Sequence, residues 1–135
     1  MQTFLPYSDF DLCARSLDYR RLGKQRVECL QILNAITYGT GWKHHPAVKM
    51  WVGYEGTLIS YAKSICEEWI FRGYKDTVLE KLKQYPYDQD IITPWWLVRP
   101  ELHRSHRSNL IRKDPLWYRK LGWTEPDNLP YWWPV

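Results

Sequence analysis

No run of this 135-residue chain comes near the roughly eighteen consecutive apolar residues of a membrane span, and no basic stretch followed by an apolar core opens it. A soluble, cytoplasmic protein with no membrane partner is expected, of bacterial or phage origin. Cysteine is scarce: Cys13, Cys29 and Cys66 are odd in number, far apart and set in apolar helical patterns, which reads as reduced core thiols and excludes a disulfide framework or a C-x-x-C metal site. Alternating β-branched runs, internal repeats and low-complexity linkers are missing, so sheet and repeat architectures drop out. The chain also lacks G-x-x-x-x-G-K-[ST], G-x-G-x-x-G and G-x-S-x-G, and with them the phosphate loops and nucleophile elbow they encode.

Acidic residues are outnumbered, fifteen against nineteen Lys and Arg, so the molecule attracts anions mildly. Nine Trp, ten Tyr and three Phe are more rings than a core of this size absorbs, and some are expected on a surface as stacking platforms for bases, sugars or partner side chains. Length and pattern predict an all-α fold: a single compact domain, residues 1–135, of five or six helices with an irregular Trp/Pro-rich C-terminal tail.

Met1 to Tyr7 should lie extended against the core, with Ser8 capping a short helix through Leu17. The next stretch, DYRRLGKQRVECLQILNAI from Asp18, pairs an apolar side (Leu22, Val27, Leu30, Leu33, Ile36) with a polar stripe of Arg21, Lys24, Gln25, Glu28 and Gln31. Gly23 is expected to kink this helix or delay its start. A Gly-bounded loop leads to Pro46, where a third helical pattern begins and runs to Ile70. Gly73 stops it, Asp76 caps a helix over 77–84, and Tyr85 to Arg99 is an irregular connection displaying or packing Trp95 and Trp96. Pro100 opens a fifth helix, Pro115 a sixth that Gly122 ends, and the tail wraps the surface.

Cations crowd Arg99 to Lys120, where Arg104, Arg107, Arg112, Lys113, Arg119 and Lys120 are interleaved with Trp117 and Tyr118. Cations hold phosphates and rings stack on exposed bases, so the segment reads either as a nucleic-acid surface or as a solvated basic helix. His103 and His106 share a helical face, but Arg104 and Arg107 beside them disfavour a metal cation; a phosphate contact or a hydrogen bond into the site suits them better, and no metal or cofactor is expected. The remaining nucleophile is the chain's terminal amine. Such amines as a class titrate at about 7.7–8.0, and with a neighbouring carboxylate to move protons one can form a Schiff base with a sugar carbon.

Three stretches carry a resemblance: VECLQILNAI after its Arg-rich approach, GWKHHPAVKMWVGYEGTLISYAKSICEEWIFRGYKDT, and HRSHRSNLIRKDPLWYRKLGW, whose Trp117-Tyr118-Arg119-Lys120-Leu121-Gly122 run is the most specific part. The chain resembles a diverged member of the phage pyrimidine-dimer DNA glycosylases of the endonuclease V type, small all-helical enzymes that excise a damaged base and cleave the abasic strand. By that resemblance the terminal amine attacks the deoxyribose C1′ and a Glu in the first long helix is essential. Met1, retained ahead of the bulky Gln2, and Glu28 take these catalytic positions. A second register of the match would put Arg21 where the carboxylate belongs.

The resemblance further implies a damaged or modified double-stranded DNA partner and base flipping by a monomer. Arg20, Arg21, Lys24 and Arg26 would hold phosphates, joined by His103, Arg104, His106, Arg107, Arg112 and Lys113, and Trp117, Tyr118, Arg119 and Lys120 would border the flipped nucleotide. The alternative is a non-catalytic DNA-binding protein on the same helical scaffold.

Overall fold

The computed structural model describes residues 1–87 and 92–135 and is all-helical among them. Seven α-helices follow in order: α1 (Phe10–Ser16), α2 (Tyr19–Tyr38), α3 (Pro46–Lys49), α4 (Glu55–Phe71), α5 (Val78–Leu82), α6 (Pro100–Lys113) and α7 (Pro115–Tyr118), with 3₁₀ turns at Trp95–Val98 and Arg119–Leu121. The third helical pattern divides into α3 and α4, because the chain turns through Gly53 at a positive φ of 88° between them. Of the irregular connection expected from Tyr85 to Arg99, residues 88–91 lie outside the described residues; its end winds into the first 3₁₀ turn.

α4 is the hub. It is buried along Leu58, Tyr61, Ala62, Ile65 and Trp69 and packs on both α1 and α2. α2 runs unbroken through Gly23, contrary to the expected kink: a Cβ there would come within 2.9 Å of the Trp69 ring, so glycine is what lets α2 and α4 approach. Trp69 is then enclosed by Tyr19 at 5.4 Å, Tyr74 at 4.4 Å and the Arg26 guanidinium at 4.5 Å. Asp9, not Ser8, caps α1, its carboxylate accepting from Leu12 N at 2.9 Å.

The aromatic rings divide between core and surface. Trp51, Trp96, Tyr61 and Tyr118 are fully buried, and Trp123 from the tail stacks on Tyr118 with ring centres 5.2 Å apart. Tyr19, Tyr38, Trp42, Phe71, Tyr74 and Trp95 are exposed, as the surplus of rings led one to expect, and Trp117 is partly so. Cys13, Cys29 and Cys66 are buried free thiols, and burial pushes Cys13 and Cys66 up to about 12. Among the described residues no helix is long and apolar enough to cross a membrane.

Residues 2–6 have no regular secondary structure, yet every one is buried. Such a segment must find partners for its backbone groups, since an unpaired buried amide costs about 1–3 kcal/mol. Side chains from three helices supply them, and a fourth contact holds the Thr3 side chain. The His106 Nδ1 accepts from Leu5 N at 2.9 Å, the His103 Nδ1 lies 2.7 Å from Leu5 O, and Arg107 donates to Pro6 O at 2.7 Å, all from α6. From α4, Tyr61 donates to Phe4 O at 2.6 Å; from α2, Gln25 binds both Phe4 N and Gln2 O; and the Trp51 indole donates to the Thr3 hydroxyl at 3.0 Å. The start of the chain is thereby threaded through the protein and its end delivered to one cleft.

Candidate active site

That cleft holds about 400 Å³ and is lined by Met1, Gln2, Phe4, Arg20, Arg21, Lys24, Gln25, Glu28, Lys113 and Tyr131. Its floor is α2. Residues 21, 24, 25 and 28 recur at three- and four-residue steps and so share one helical face, which turns toward the N-terminal segment. Lys113, at the end of α6, and Tyr131, from the tail, form the opposite side.

Glu28 is only 8% exposed, so the polar stripe on α2 is no ordinary solvated face. Its Oε2 accepts from Gln25 Nε2 at 2.7 Å, and its Oε1 lies 4.0 Å from the Lys24 ammonium. Burial pushes the Glu28 carboxyl above the usual carboxylate range; the N-terminal ammonium is the strongest influence pulling it back, followed by Lys24, the Gln2 backbone and the Gln25 amide, and burial wins. A carboxyl raised in this way exchanges protons closer to neutrality than a surface glutamate does. Burial, with Arg21, Arg112 and Lys24 nearby, pushes the Lys113 ammonium below its usual range.

Of the cations expected to hold phosphate, Arg20, Arg21, Lys24 and Lys113 line the cleft. Arg21 pairs with Asp18 at 3.3 Å and lines the cleft together with Glu28. Arg26 faces away, bound to Asp76 at 2.5 Å and laid over Trp69. Arg107 is spent on Glu125 at 3.0 Å and on Pro6 O. His103 and His106 are buried and tie down the N-terminal segment; they present no surface to a phosphate. Burial drives His106 down to about 3, consistent with a neutral ring that accepts at Nδ1.

Arg104 is exposed beside Trp132 in a separate shallow hollow, and Arg112 reaches Asp127 O at 3.2 Å. Tyr118 does not border the cleft. It is a core residue, its hydroxyl closely bonded to the Asp18 carboxylate and accepting from Asp18 N at 3.1 Å. Trp117 keeps a partly exposed ring but anchors its indole N–H on Ser16 O at 2.8 Å. Arg119 donates to Trp123 O and Glu125 O at 3.0 and 2.9 Å, while Lys120 is exposed. Among the described residues no three His, Cys, Asp or Glu side chains converge as a metal site.

Sequence reasoning overlooked Tyr131 and underrated Gln25. Gln25 lies on the right helical face but carries no charge to single it out, and no periodicity in a Pro-rich tail indicates that Tyr131 returns to α2.

Fold and cleft together define a small all-helical protein with a cationic recess around a buried carboxylate, a setting suited to a phosphate-bearing ligand. The family model for pyrimidine dimer DNA glycosylase matches residues 1–82, more than half of the chain, and the chain belongs to that family. DNA is the substrate class that membership implies. No curated protein and no solved structure matches the chain. The matched residues include Met1, Glu28 and the α2 cations; Lys113 and Tyr131 lie beyond them.

Proposed function

We propose that the protein is a DNA glycosylase with associated abasic-site lyase chemistry, in which the Met1 α-amine is the nucleophile and Glu28 moves the protons. The observation that carries this is the shared cleft: Met1 and a buried, raised carboxyl line it together with Arg20, Arg21, Lys24 and Lys113, and the terminal ammonium acts on that carboxyl. In its neutral form the amine adds to the sugar C1′, and the C1′–N bond to a damaged or modified base breaks, the base leaving with the bonding pair and taking up a proton. Opening of the C1′–O4′ bond leaves an iminium linking Met1 to the sugar. Loss of a C2′ proton then expels the 3′ phosphate and cuts the strand. In this reading Glu28 takes the proton released by the attacking amine and returns one to the ring oxygen. The surrounding cations hold the flanking phosphates and favour the anion that departs.

Borohydride reduction on duplex DNA containing an abasic site or a damaged base tests this. The wild type is expected to form a reduced covalent adduct, and Glu28→Gln to lower cleavage by about 10²–10⁴-fold. The variant should stay folded, because burial already disfavours the Glu28 charge. No adduct with either DNA, together with equal cleavage by Glu28→Gln, refutes the proposal.

A further inference from the structure

Gln25 is 1% exposed and uses both ends of its amide. Nε2 donates to Gln2 O at 2.8 Å and to Glu28 Oε2 at 2.7 Å. Oε1 accepts from Phe4 N at 3.0 Å and lies 2.8 Å from the Tyr61 hydroxyl. Its neighbours leave the amide one orientation. Phe4 N–H can only donate and Gln2 C=O can only accept, so a flipped amide would set donor against donor and acceptor against acceptor. The N–H directed at Glu28 is therefore fixed by the same segment that carries the terminal amine.

We propose that Gln25 is a positioning residue that locks the N-terminal segment and the Glu28 carboxylate into one unit, reserving Oε2 as a hydrogen-bond acceptor so that Oε1 is the oxygen that carries the catalytic proton. Oε1 is the oxygen on the Lys24 side of the carboxylate. A protonated Glu28 with its hydrogen on Oε2 would confront the Gln25 N–H, whereas a hydrogen on Oε1 leaves that bond intact. This rests on the glycosylase reading for its meaning in catalysis, but the hydrogen-bond lock exists without it.

Other groups set the same carboxylate. The N-terminal ammonium and the Gln2 backbone act on it from the chain start, Lys24 from α2, Lys113 from α6, Tyr131 from the tail and Tyr61 from α4, with Cys29 adjoining on α2 itself. Gln25 is the side chain that donates a hydrogen bond to Oε2. Its loss should consequently move the titration of Glu28, both by removing this bond and by releasing the segment that carries the N-terminal ammonium.

Gln25→Glu keeps an oxygen toward Phe4 N and Tyr61 but turns an acceptor toward Glu28. Carboxyl ¹³C NMR of the DNA-free protein, with Glu28 assigned by its absence from Glu28→Gln, is expected to show the Glu28 midpoint at least about one pH unit above wild type. In the borohydride assay the acid limb of the rate should move with it, and trapping at pH 6 should fall about tenfold or more, while affinity for abasic duplex changes by less than about threefold. Tyr61→Phe removes the hydroxyl that lies against the far end of the amide and donates to Phe4 O, and leaves Gln25 itself in place. It should shift both readouts in the same direction by less, and it keeps the test open if Gln25→Glu does not fold. A Glu28 midpoint unchanged in whichever variant folds overturns the inference. Failure of the wild type to form an adduct refutes the glycosylase reading instead, and leaves the NMR result to decide the role of Gln25.

Discussion

His106 shows how a side chain that sequence patterning offers to a ligand is claimed by the fold. Its Nδ1 accepts the Leu5 N–H, which an imidazolium cannot do, and its folded pKa of about 3 lies well below the roughly 6.5 of an exposed histidine. Between those values the unfolded chain binds the extra proton and the native state does not. The stability His106 confers is thus complete above about pH 6.5 and drains away as pH falls toward about 3, by at most about 1.4 kcal/mol per pH unit. In His106→Asn the amide oxygen can still accept from Leu5 N without titrating. Thermal melts from pH 7 to pH 4 should give this variant a lower midpoint at neutrality, from lost packing on Phe4 and Tyr131, but a flatter descent toward acid. Parallel descents for variant and wild type would deny His106 this role. The charge pattern of α6 places both histidines on one face; only the threaded N-terminal segment reveals that this face looks inward.

At the scale of the element, α2 joins a packing surface to a chemical one. Leu22 and Leu33 of the apolar side and Gln25 and Glu28 of the polar face follow from helical spacing, and so does Glu28 as the carboxylate among cations; Val27 does not, since it is exposed and Cys29, Ile32 and Ala35 are buried instead. Nor does the place of Gly23, because sequence registers its low helix propensity and not the indole against it. Gly23→Ala gains about 1 kcal/mol of propensity yet drives a methyl to 2.9 Å from a Trp69 ring held on several sides. Overpacking of that kind costs about 1–3 kcal/mol, so the variant should melt below wild type in chemical denaturation. A variant more stable than wild type would mean that α2 and α4 have room to separate.

Across the whole molecule, composition cannot tell the basic residues that face the cleft from those held in ion pairs elsewhere. Arg20, Lys24 and Lys113 face the cleft, whereas Arg26 and Arg107 are bound into internal ion pairs. Arg20→Ala and Lys24→Ala should each weaken DNA binding and lower the slope of log affinity against log salt by about 0.9 for each phosphate no longer neutralised. Arg26→Ala should leave that slope unchanged and lower the melting temperature. Fluorescence anisotropy over a salt series separates these outcomes, and equal slopes for all variants would remove the cleft as the DNA site. The helical class, most helix starts and the basic character of the chain follow from spacing, caps and composition. The cleft does not, since its walls come from residues 1–4, α2, the end of α6 and the tail, brought together by buried backbone hydrogen bonds that leave no periodic trace.

The central claim is that the amine at the start of the chain, and not a lysine of the same cleft, reacts with the sugar. Lys113 is the natural rival, being a cleft amine whose pKa is lowered by burial and by neighbouring cations. Borohydride-trapped protein, digested and mapped by tandem mass spectrometry, distinguishes them directly. The deoxyribose remnant is predicted on the α-nitrogen of Met1, with the adduct persisting in Lys113→Ala. A remnant on Lys113 or Lys24, or an undiminished adduct after the α-amine is acetylated, would contradict the account.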